Sequence, residues 1–253
     1  MPPSRPHCVA LIPARSGSVR IPDKNIRRLA GHPLLAYAVA ASLSTPMIDR
    51  VYVVTDSPAY ARVAAHYGAQ VLSRPPDTAT SEAPDIRWVE WSLQELEKQG
   101  VRADIFAIVR PTSPFRLSED LSEAIEMLVK NPKADSVRGV RNITEHPYKA
   151  WVKDDGDFIS PFVHSEVNGV PGHSSQYASL PPVLIQDGSM DISWSRVVLD
   201  EGRITGSKVL PWTSKGDYSV DVNSEIDWLL AEVLIERGLV RLPRISVSPY
   251  STD

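Results

Sequence analysis

The stretch VALIPARSGSVRIPDKN, residues 9–25, decides how this chain folds. Its first four residues, Val9–Ile12, are all apolar, as expected of a strand that is covered on both faces of a parallel sheet. The loop that follows, Ala14–Asn25, combines small residues with three basic side chains. Small residues let the backbone approach a phosphate and basic side chains neutralise it, so the loop suits phosphate binding. A structural turn with solvated basic side chains fits the local sequence equally well, because the loop is neither a Walker A nor a GxGxxG sequence.

Apolar runs of strand length alternate with segments of helical length along the chain. The expected strands are Val9–Ile12, Arg50–Val54, Ala69–Leu72, Ile105–Val109, Ser136–Val140, Ser189–Trp194 and Lys208–Pro211. The expected helices are Pro33–Leu43, Pro58–Tyr67, Ile86–Gln99, Glu119–Lys130 and Glu225–Arg237. This alternation predicts an α/β fold with a doubly wound, mostly parallel sheet. Since such sheets bind ligands beyond the carboxyl ends of their strands, we expect the site at loops 14–25, 55–57 and 110–116.

The α/β pattern is interrupted between residues 142 and 186, where Pro, Gly, His and Ser are frequent and periodicity is weak. A long irregular segment inside a compact domain is usually functional. We therefore predict one domain over residues 1–253, with residues 142–186 inserted in it as a lid or a dimerisation arm.

Composition excludes several classes of protein. The 253 residues carry a net charge of −4, which argues against general nucleic-acid binding. One cysteine permits neither an intramolecular disulfide nor a cysteine-rich metal site. No apolar stretch has the length of a membrane helix and the first residues contain no signal core, so we expect no membrane partner and a cytoplasmic protein.

Two further segments carry polar residues at expected strand ends. In SVDVN, residues 219–223, Asp221 would end an apolar strand, with Asn223 on the same face. Two oxygen ligands on one face suit Mg²⁺, although either residue could instead cap the following helix. The segment RPTSP, residues 110–114, could be a polar turn, but after a central strand it would lie on the same edge as the first loop.

Five motifs occur together in one order over nearly the whole chain: ALIPARSGSVRIPDKNIRRLAGHPLLAYAV, RVYVVTDS, HYGAQVLSRP, IVRPTSPFR and DYSVDVNSEIDW. In order and spacing they resemble the acylneuraminate cytidylyltransferase family, the CMP-sialic acid synthetases and their relatives acting on other 2-keto-3-deoxy sugar acids. The resemblance implies a Rossmann-like nucleotidyltransferase fold, Mg²⁺ as cofactor and a homodimer in which residues 142–186 reach into the partner. It implies CTP and an acidic keto-sugar as substrates: the anomeric hydroxyl attacks the α-phosphate of CTP, and pyrophosphate leaves.

The resemblance also assigns residues, motif by motif. Nucleotide contacts fall to Ala14, Arg15, Ser18, Arg20, Lys24, Asn25 and Arg74. Catalytic roles fall to Arg15, Lys24 and Asp221, and the metal ligands would be Asp221 and Asn223. Contacts to the acceptor substrate fall to Arg110, Thr112, Ser113, Tyr177, Gln186 and Asp187.

Several positions depart from the family pattern. Val19 stands where the loop commonly has lysine, and Asn223 stands where a second acidic residue is usual. Arg110 replaces a glutamine, Tyr177 an arginine and Asp191 a tyrosine. The acceptor is therefore expected to be a nonulosonic acid or a different anionic compound such as an octulosonate. A nucleotide-binding homologue with reduced catalysis is the alternative from another class.

Overall fold

The computed structural model describes residues 5–18, 20–214 and 219–251. The helices are α1 (Leu34–Leu43), α2 (Pro58–His66), α3 (Asp85–Lys98), α4 (Ser118–Lys130), α5 (Ser195–Leu199) and α6 (Glu225–Glu236). The strands are β1 (Cys8–Pro13), β2 (Arg28–Leu29), β3 (His32–Pro33), β4 (Arg50–Thr55), β5 (Gln70–Ser73), β6 (Ile105–Ile108), β7 (Ser136–Asn142), β8 (Trp151–Lys153), β9 (Ile159–Pro161), β10 (Glu166–Val167), β11 (Val170–Pro171), β12 (Leu184–Trp194) and β13 (Val209–Thr213). Within the described ranges, no helix combines the length and apolarity needed to cross a membrane.

Seven strands form one sheet in the order β13-β7-β12-β6-β1-β4-β5. Strand β1 pairs in parallel with both β4 and β6, and β4 pairs in parallel with β5. Strand β12 runs antiparallel to β6, with Asp191 opposite Ile108. The predicted α/β fold with a mostly parallel sheet is therefore confirmed. Its parallel strands β6, β1, β4 and β5 end at the same edge, which brings the loops after β1, β4 and β6 together.

Both faces of the central strand are covered. Ala10 and Ile12 pack on one face with apolar side chains of α1, α2 and α4. Val9 and Leu11 pack on the other face with Trp88 and the apolar side of α3. Because neither face meets water, β1 has no polar position, which is why its sequence is an unbroken apolar run.

Serine side chains cap the N-termini of α2 and α6. Ser57 accepts the Tyr60 N–H at 3.4 Å and so caps α2. Helix α6 begins at a capping box in which Ser224 and Asp227 each accept the other's backbone N–H. The alternative that Asp221 or Asn223 merely caps this helix is therefore wrong, and both side chains are available for other contacts.

The chain divides into two compact units. One comprises the residues up to Gly139 together with those from Asp187 onward, and the other is Val140–Gln186. The second unit contains the short antiparallel pairs β8–β9 and β10–β11. It begins two residues before the segment predicted as an insertion, whose role as a lid or dimerisation arm stays a prediction.

Candidate functional site

The start of the loop after β1 is held by the neighbouring strand β4. The backbone N–H of Ala14, a buried residue, donates to the Val54 carbonyl at 3.0 Å. The carboxylate of Asp56 accepts the Ser16 backbone N–H at 2.7 Å and the Ser16 hydroxyl at 2.5 Å. Burial raises the pKa of Asp56, but the hydrogen bonds from Ser16 outweigh it and leave the pKa below its ordinary value. Asp56 therefore carries its charge while it fixes the loop, a role that sequence analysis did not assign.

The end of the same loop is closed by side chains. Asn25 is buried, and its amide Nδ2 donates to the Arg15 carbonyl at 3.3 Å. Tyr60 of α2 donates its hydroxyl to Asp23 Oδ1 at 3.0 Å, where the backbone of Asp23 has a φ of 49°. Aspartate is among the few residues other than glycine that adopt this left-handed conformation readily. The loop is thus fixed before any ligand binds, which reduces the ordering cost of binding.

Lys24 reaches from this loop to the segment before α6. Its Nζ donates to the Val222 carbonyl at 2.7 Å and to Asn223 Oδ1 at 3.3 Å. Burial lowers the pKa of Lys24, and this outweighs the raising effect of the nearby Asp221 carboxylate. Since both hydrogen-bond acceptors are neutral, Lys24 is a half-buried cation that an anionic ligand would stabilise.

A cavity of about 260 Å³ opens beside the loop, at the carboxyl ends of β1 and β6. It is lined by seven residues predicted for nucleotide or substrate binding: Arg15, Ser18, Lys24, Asn25, Arg74, Arg110 and Thr112. Four of these side chains are cationic, so the cavity favours an anionic ligand. Ala14 and Arg20, which were predicted to contact the nucleotide, do not line this cavity. Ala14 is buried and Arg20 is exposed. Val19, the position of the missing lysine, lies outside the described residues.

Arg74 forms one wall of the cavity and is itself fixed. Its guanidinium donates to the side chain of Thr78 at 3.3 Å and to the Thr78 carbonyl, and lies 5.3 Å from the centroid of the Trp88 ring. Burial lowers the pKa of Arg74. The same wall continues through Thr80, Ser81 and Ala83. None of these three was predicted for the site, although Thr80 and Ser81 are small polar residues shortly after the SRP motif.

The opposite wall, after β6, is a network of ion pairs. Arg110 Nη2 lies 2.8 Å from Asp85 Oδ2 and 3.2 Å from Asp191 Oδ2. Asp191 also pairs with Arg138, whose Nε lies 2.8 Å from Asp191 Oδ1. No role was predicted for Asp85 or Arg138, and Asp191 was expected only to depart from the family pattern. The paired residues are 25 to 81 positions apart in the chain, so no local pattern reveals the network.

The remaining residues predicted for the acceptor lie elsewhere. Ser113 and Asp187 line a different cavity of about 250 Å³. Tyr177 and Gln186 belong to the second unit, where the Tyr177 hydroxyl donates to backbone carbonyls of that unit at 2.8 and 3.2 Å. Arg110 and Thr112 therefore lie in the same cavity as the residues predicted for nucleotide binding. The roles of the other four stay predictions.

Arg116 joins the loop after β6 to strand β12. It is buried, and its guanidinium donates to the Ser189 carbonyl and, at 3.3 Å, to the Arg110 carbonyl. Burial lowers the pKa of Arg116 to about 10. Its contacts are to backbone atoms, so Arg116 holds the wall in place and does not face the cavity that contains Arg15 and Lys24.

Residues 219–223 do not form the strand that their sequence predicts. The backbone of Val222 donates to the Thr112 carbonyl at 2.8 Å, but the segment has no strand ladder. Its two valines are buried against α1 and α6, and this burial explains the alternating apolar pattern. Asp221 and Asn223 nevertheless lie side by side, because Asn223 Nδ2 donates to Asp221 Oδ2 at 2.7 Å.

Asp221 offers an unused carboxylate oxygen. Its Oδ1 is buried and receives no hydrogen bond from any residue that the structure describes. Leaving such an atom unpaired is costly, and Mg²⁺ commonly binds one or two protein carboxylates together with substrate phosphates and water. Asp221 therefore fits a Mg²⁺ ligand, whereas the amide oxygen of Asn223 faces Lys24. Among the described residues no group of three or more His, Cys, Asp or Glu could hold a metal, so phosphates and water would have to complete the coordination.

Solved structures share this fold. A CMP:2-keto-3-deoxy-manno-octonic acid synthetase complexed with CTP aligns with a TM-score of 0.66 at 15% identity, covering 92% of this chain and 99% of that one. A 4-diphosphocytidyl-2C-methyl-D-erythritol synthase from Anaerococcus prevotii aligns with a TM-score of 0.62 at 13% identity, covering 92% and 100%. At such identities the likeness establishes the fold alone, which is that of a Rossmann-like nucleotidyltransferase.

Sequence comparison gives the family. The family described as "Cytidylyltransferase" matches residues 9–151. A CMP-N,N'-diacetyllegionaminic acid synthase of Legionella pneumophila is 31% identical over 233 residues, which cover 90% of this chain and 96% of that protein. The chain belongs to the cytidylyltransferase family, as its motifs predict. An N-acylneuraminate cytidylyltransferase of Escherichia coli is 39% identical over 227 residues, covering 90% of this chain and 52% of its own length. The chain thus spans nearly all of the Legionella protein and about half of the Escherichia coli protein.

Proposed function

We propose that this chain transfers CMP from CTP to the anomeric hydroxyl of a nonulosonic, sialic-acid-like sugar or a related 2-keto-3-deoxy sugar acid, with release of pyrophosphate. The observation that carries the proposal is the cavity beside the first loop, which gathers four cationic side chains in a member of the cytidylyltransferase family. Since the donor is CTP, we expect the reaction to take place in the cytoplasm.

The nucleotide occupies the side of the cavity formed by the first loop. Arg15 and Lys24 bind the triphosphate, and Lys24 exchanges its two neutral acceptors for phosphate oxygens. Arg74 is held by Thr78 and Trp88 and contributes a fixed positive charge on the far wall. These contacts act by positioning and by charge neutralisation, and they require no covalent intermediate.

The acceptor occupies the side of the cavity formed by the loop after β6. Arg110 binds an anionic group of the acceptor, and Thr112 lies beside it on the same loop. The anomeric oxygen forms a bond to the α-phosphorus and its hydroxyl proton passes to water, while the bond from that phosphorus to the bridging oxygen breaks and pyrophosphate leaves with the bonding electrons. Both walls are fixed by contacts outside the cavity, and a fixed geometry is what an in-line displacement needs.

We propose Mg²⁺ as the cofactor, with Asp221 as its protein ligand. The support is the buried and unpaired Oδ1 of Asp221, while Asn223 fixes the other carboxylate oxygen. Bound there, the ion would neutralise negative charge on the triphosphate and the departing pyrophosphate.

We also propose that the protein is a homodimer that associates through the unit Val140–Gln186. In that unit Phe158, Ile159 and Phe162 are 76%, 58% and 62% exposed, and clustered exposed apolar side chains commonly mark an interface. Light scattering after size exclusion should give a dimer for the wild type and a monomer for the variant Phe158→Ser/Phe162→Ser. A monomeric wild type would overturn this assignment.

A pyrophosphate-release screen tests the activity. The protein is incubated with Mg²⁺, each of the four nucleoside triphosphates and a panel of keto-sugar acids that includes N-acetylneuraminate, a legionaminate and an octulosonate. We expect release only when CTP and one of the acids are both present. Release with the octulosonate alone would change the acceptor class. CTP binding without release across the panel would identify a nucleotide-binding protein instead of an enzyme.

A further inference from the structure

A chain of alternating charges runs along the wall of the cavity that follows β6. It begins at Trp88, whose indole N–H donates to Asp85 Oδ1 at 2.8 Å. The other oxygen of Asp85 pairs with Arg110, which pairs in turn with Asp191, and Asp191 pairs with Arg138. The two carboxylates and two guanidiniums balance in charge, and each member is oriented by its neighbours.

Both carboxylates contact Arg110 through the same nitrogen. Nη2 donates a hydrogen bond to Asp85 Oδ2 at 2.8 Å, and Asp191 Oδ2 lies 3.2 Å from the same nitrogen as an ion pair. Nη1, which carries two more N–H groups, donates no hydrogen bond to any residue in the described part of the chain. Because Arg110 lines the cavity, Nη1 is the donor available to an oxygen of a bound ligand.

The two carboxylates differ in rigidity. The side chain of Asp85 is 45% exposed at the first turn of α3, whereas that of Asp191 is 14% exposed. Asp191 also stands on β12, paired in the sheet opposite Ile108, and a second guanidinium, that of Arg138, forms an ion pair with its other oxygen. An exposed ion pair contributes little and is readily broken, so Asp191 is the partner that determines where Arg110 lies.

We propose that Asp191 is a positioning residue: it holds Arg110 by Nη2 so that Nη1 binds the carboxylate of the acceptor, and this pair governs acceptor affinity. The inference rests on the proposed function, because it takes the acceptor to be a sugar acid. The nucleotide contacts at Arg15 and Lys24 lie on the other wall and do not depend on Asp191.

The test compares Asp191→Asn, Arg110→Gln and the double variant by steady-state pyrophosphate release. Asp191→Asn should raise the acceptor KM about tenfold, because Arg110 loses the carboxylate that orients it. The CTP KM should stay unchanged. Arg110→Gln should raise the acceptor KM at least as much. The double variant should be no worse than Arg110→Gln alone, because Asp191 acts through Arg110. Glu126→Gln removes an exposed carboxylate paired with Lys130 on α4 and is the matched control.

Additive effects of the two substitutions, or an equal rise in the CTP KM, would show that Asp191 does not act through Arg110. If Asp191→Asn does not fold, Asp191→Glu keeps the charge but displaces Arg110, and it should raise the acceptor KM in the same selective way.

If the wild type turns over none of the acids, the proposed function fails on its own. The acids are then titrated by calorimetry against the CTP-bound wild type and Asp191→Asn: binding by the wild type alone supports the inference, and any other result rejects it.

Discussion

Asp56 holds Ser16 through both of its carboxylate oxygens, one accepting the backbone N–H at 2.7 Å and the other the hydroxyl at 2.5 Å. Ser16 lies in the loop after β1, and Asp56 directly follows β4, the strand beside β1 in the sheet. The shape of the loop is therefore fixed by the neighbouring strand as well as by its own residues. A preorganised loop of this kind loses little conformational entropy when it binds phosphate.

Replacing Asp56 by asparagine should weaken CTP binding about tenfold, because the amide supplies one acceptor oxygen where two are used. The Kd for CTP is measured by calorimetry. Ser57→Ala is the control, since it removes the α2 cap next to Asp56 but leaves the contact with Ser16. The control should lose about 1 kcal/mol of folding stability and keep the wild-type Kd. Equal CTP affinity in Asp56→Asn and wild type would show that the contact does not organise the loop.

The affinity for CTP should depend on the charge of Lys24. Burial lowers the pKa of Lys24 in the free protein, and bound phosphates would favour its charged form. Affinity is thus complete below the lowered pKa and declines as the pH rises through it. Between pH 7 and about pH 9.5 the Kd of the wild type should rise more than that of Lys24→Arg, because arginine stays protonated there. Parallel curves for the two proteins would contradict this role.

Asp221→Ala should reduce pyrophosphate release at least about 100-fold, because it removes the proposed metal ligand from the triphosphate site. Binding of Mn²⁺ in the presence of CTP, followed by electron paramagnetic resonance, should weaken in parallel. In Asn223→Ala the loss should be smaller, since Asn223 orients Asp221 Oδ2 and accepts from Lys24 but is not the proposed metal ligand. Wild-type rates in Asp221→Ala would remove Asp221 from the metal site.

Asp135 lies outside the candidate site and should stabilise the folded protein. It accepts the backbone N–H groups of Ser207 and Lys208, each at 3.0 Å, and pairs with Arg196 at 3.0 Å. The hydrogen bond from Lys208 is the largest contribution that lowers the pKa of Asp135, to about 2. The stabilisation is present above the unfolded-state pKa of about 3.9 and is lost as the pH falls towards 2.

Urea denaturation of Asp135→Asn should therefore show a loss of about 2 kcal/mol in the free energy of unfolding at pH 6. Between pH 4 and pH 2 the wild type should lose stability towards the level of the variant. A constant difference over this range would mean that Asp135 does not carry the pH dependence.

Local patterns predicted the helices and strands whose apolar residues recur at one regular spacing and whose ends are marked by particular residues. The α/β alternation is confirmed, and no end of β1 or α2 differs from its predicted position by more than one residue. The pattern failed at residues 219–223, because burial of two alternating valines gives a sequence like that of a half-buried strand without any strand pairing. The short hairpin β2–β3 and the five-residue helix α5 were not predicted either, since elements of this length leave no periodic signal.

The sequence by itself determined the fold class, the family and the basic residues of the first loop, because each of these follows from short runs of consecutive residues and from the spacing between them. Only the tertiary structure decided how the site is held: that Asp56 fixes Ser16, that Lys24 reaches Val222, and that Asp191 pairs with Arg110. These contacts join side chains from different strands and loops. They form only after the strands of the sheet have paired, so they depend on strand order and register and not on local sequence.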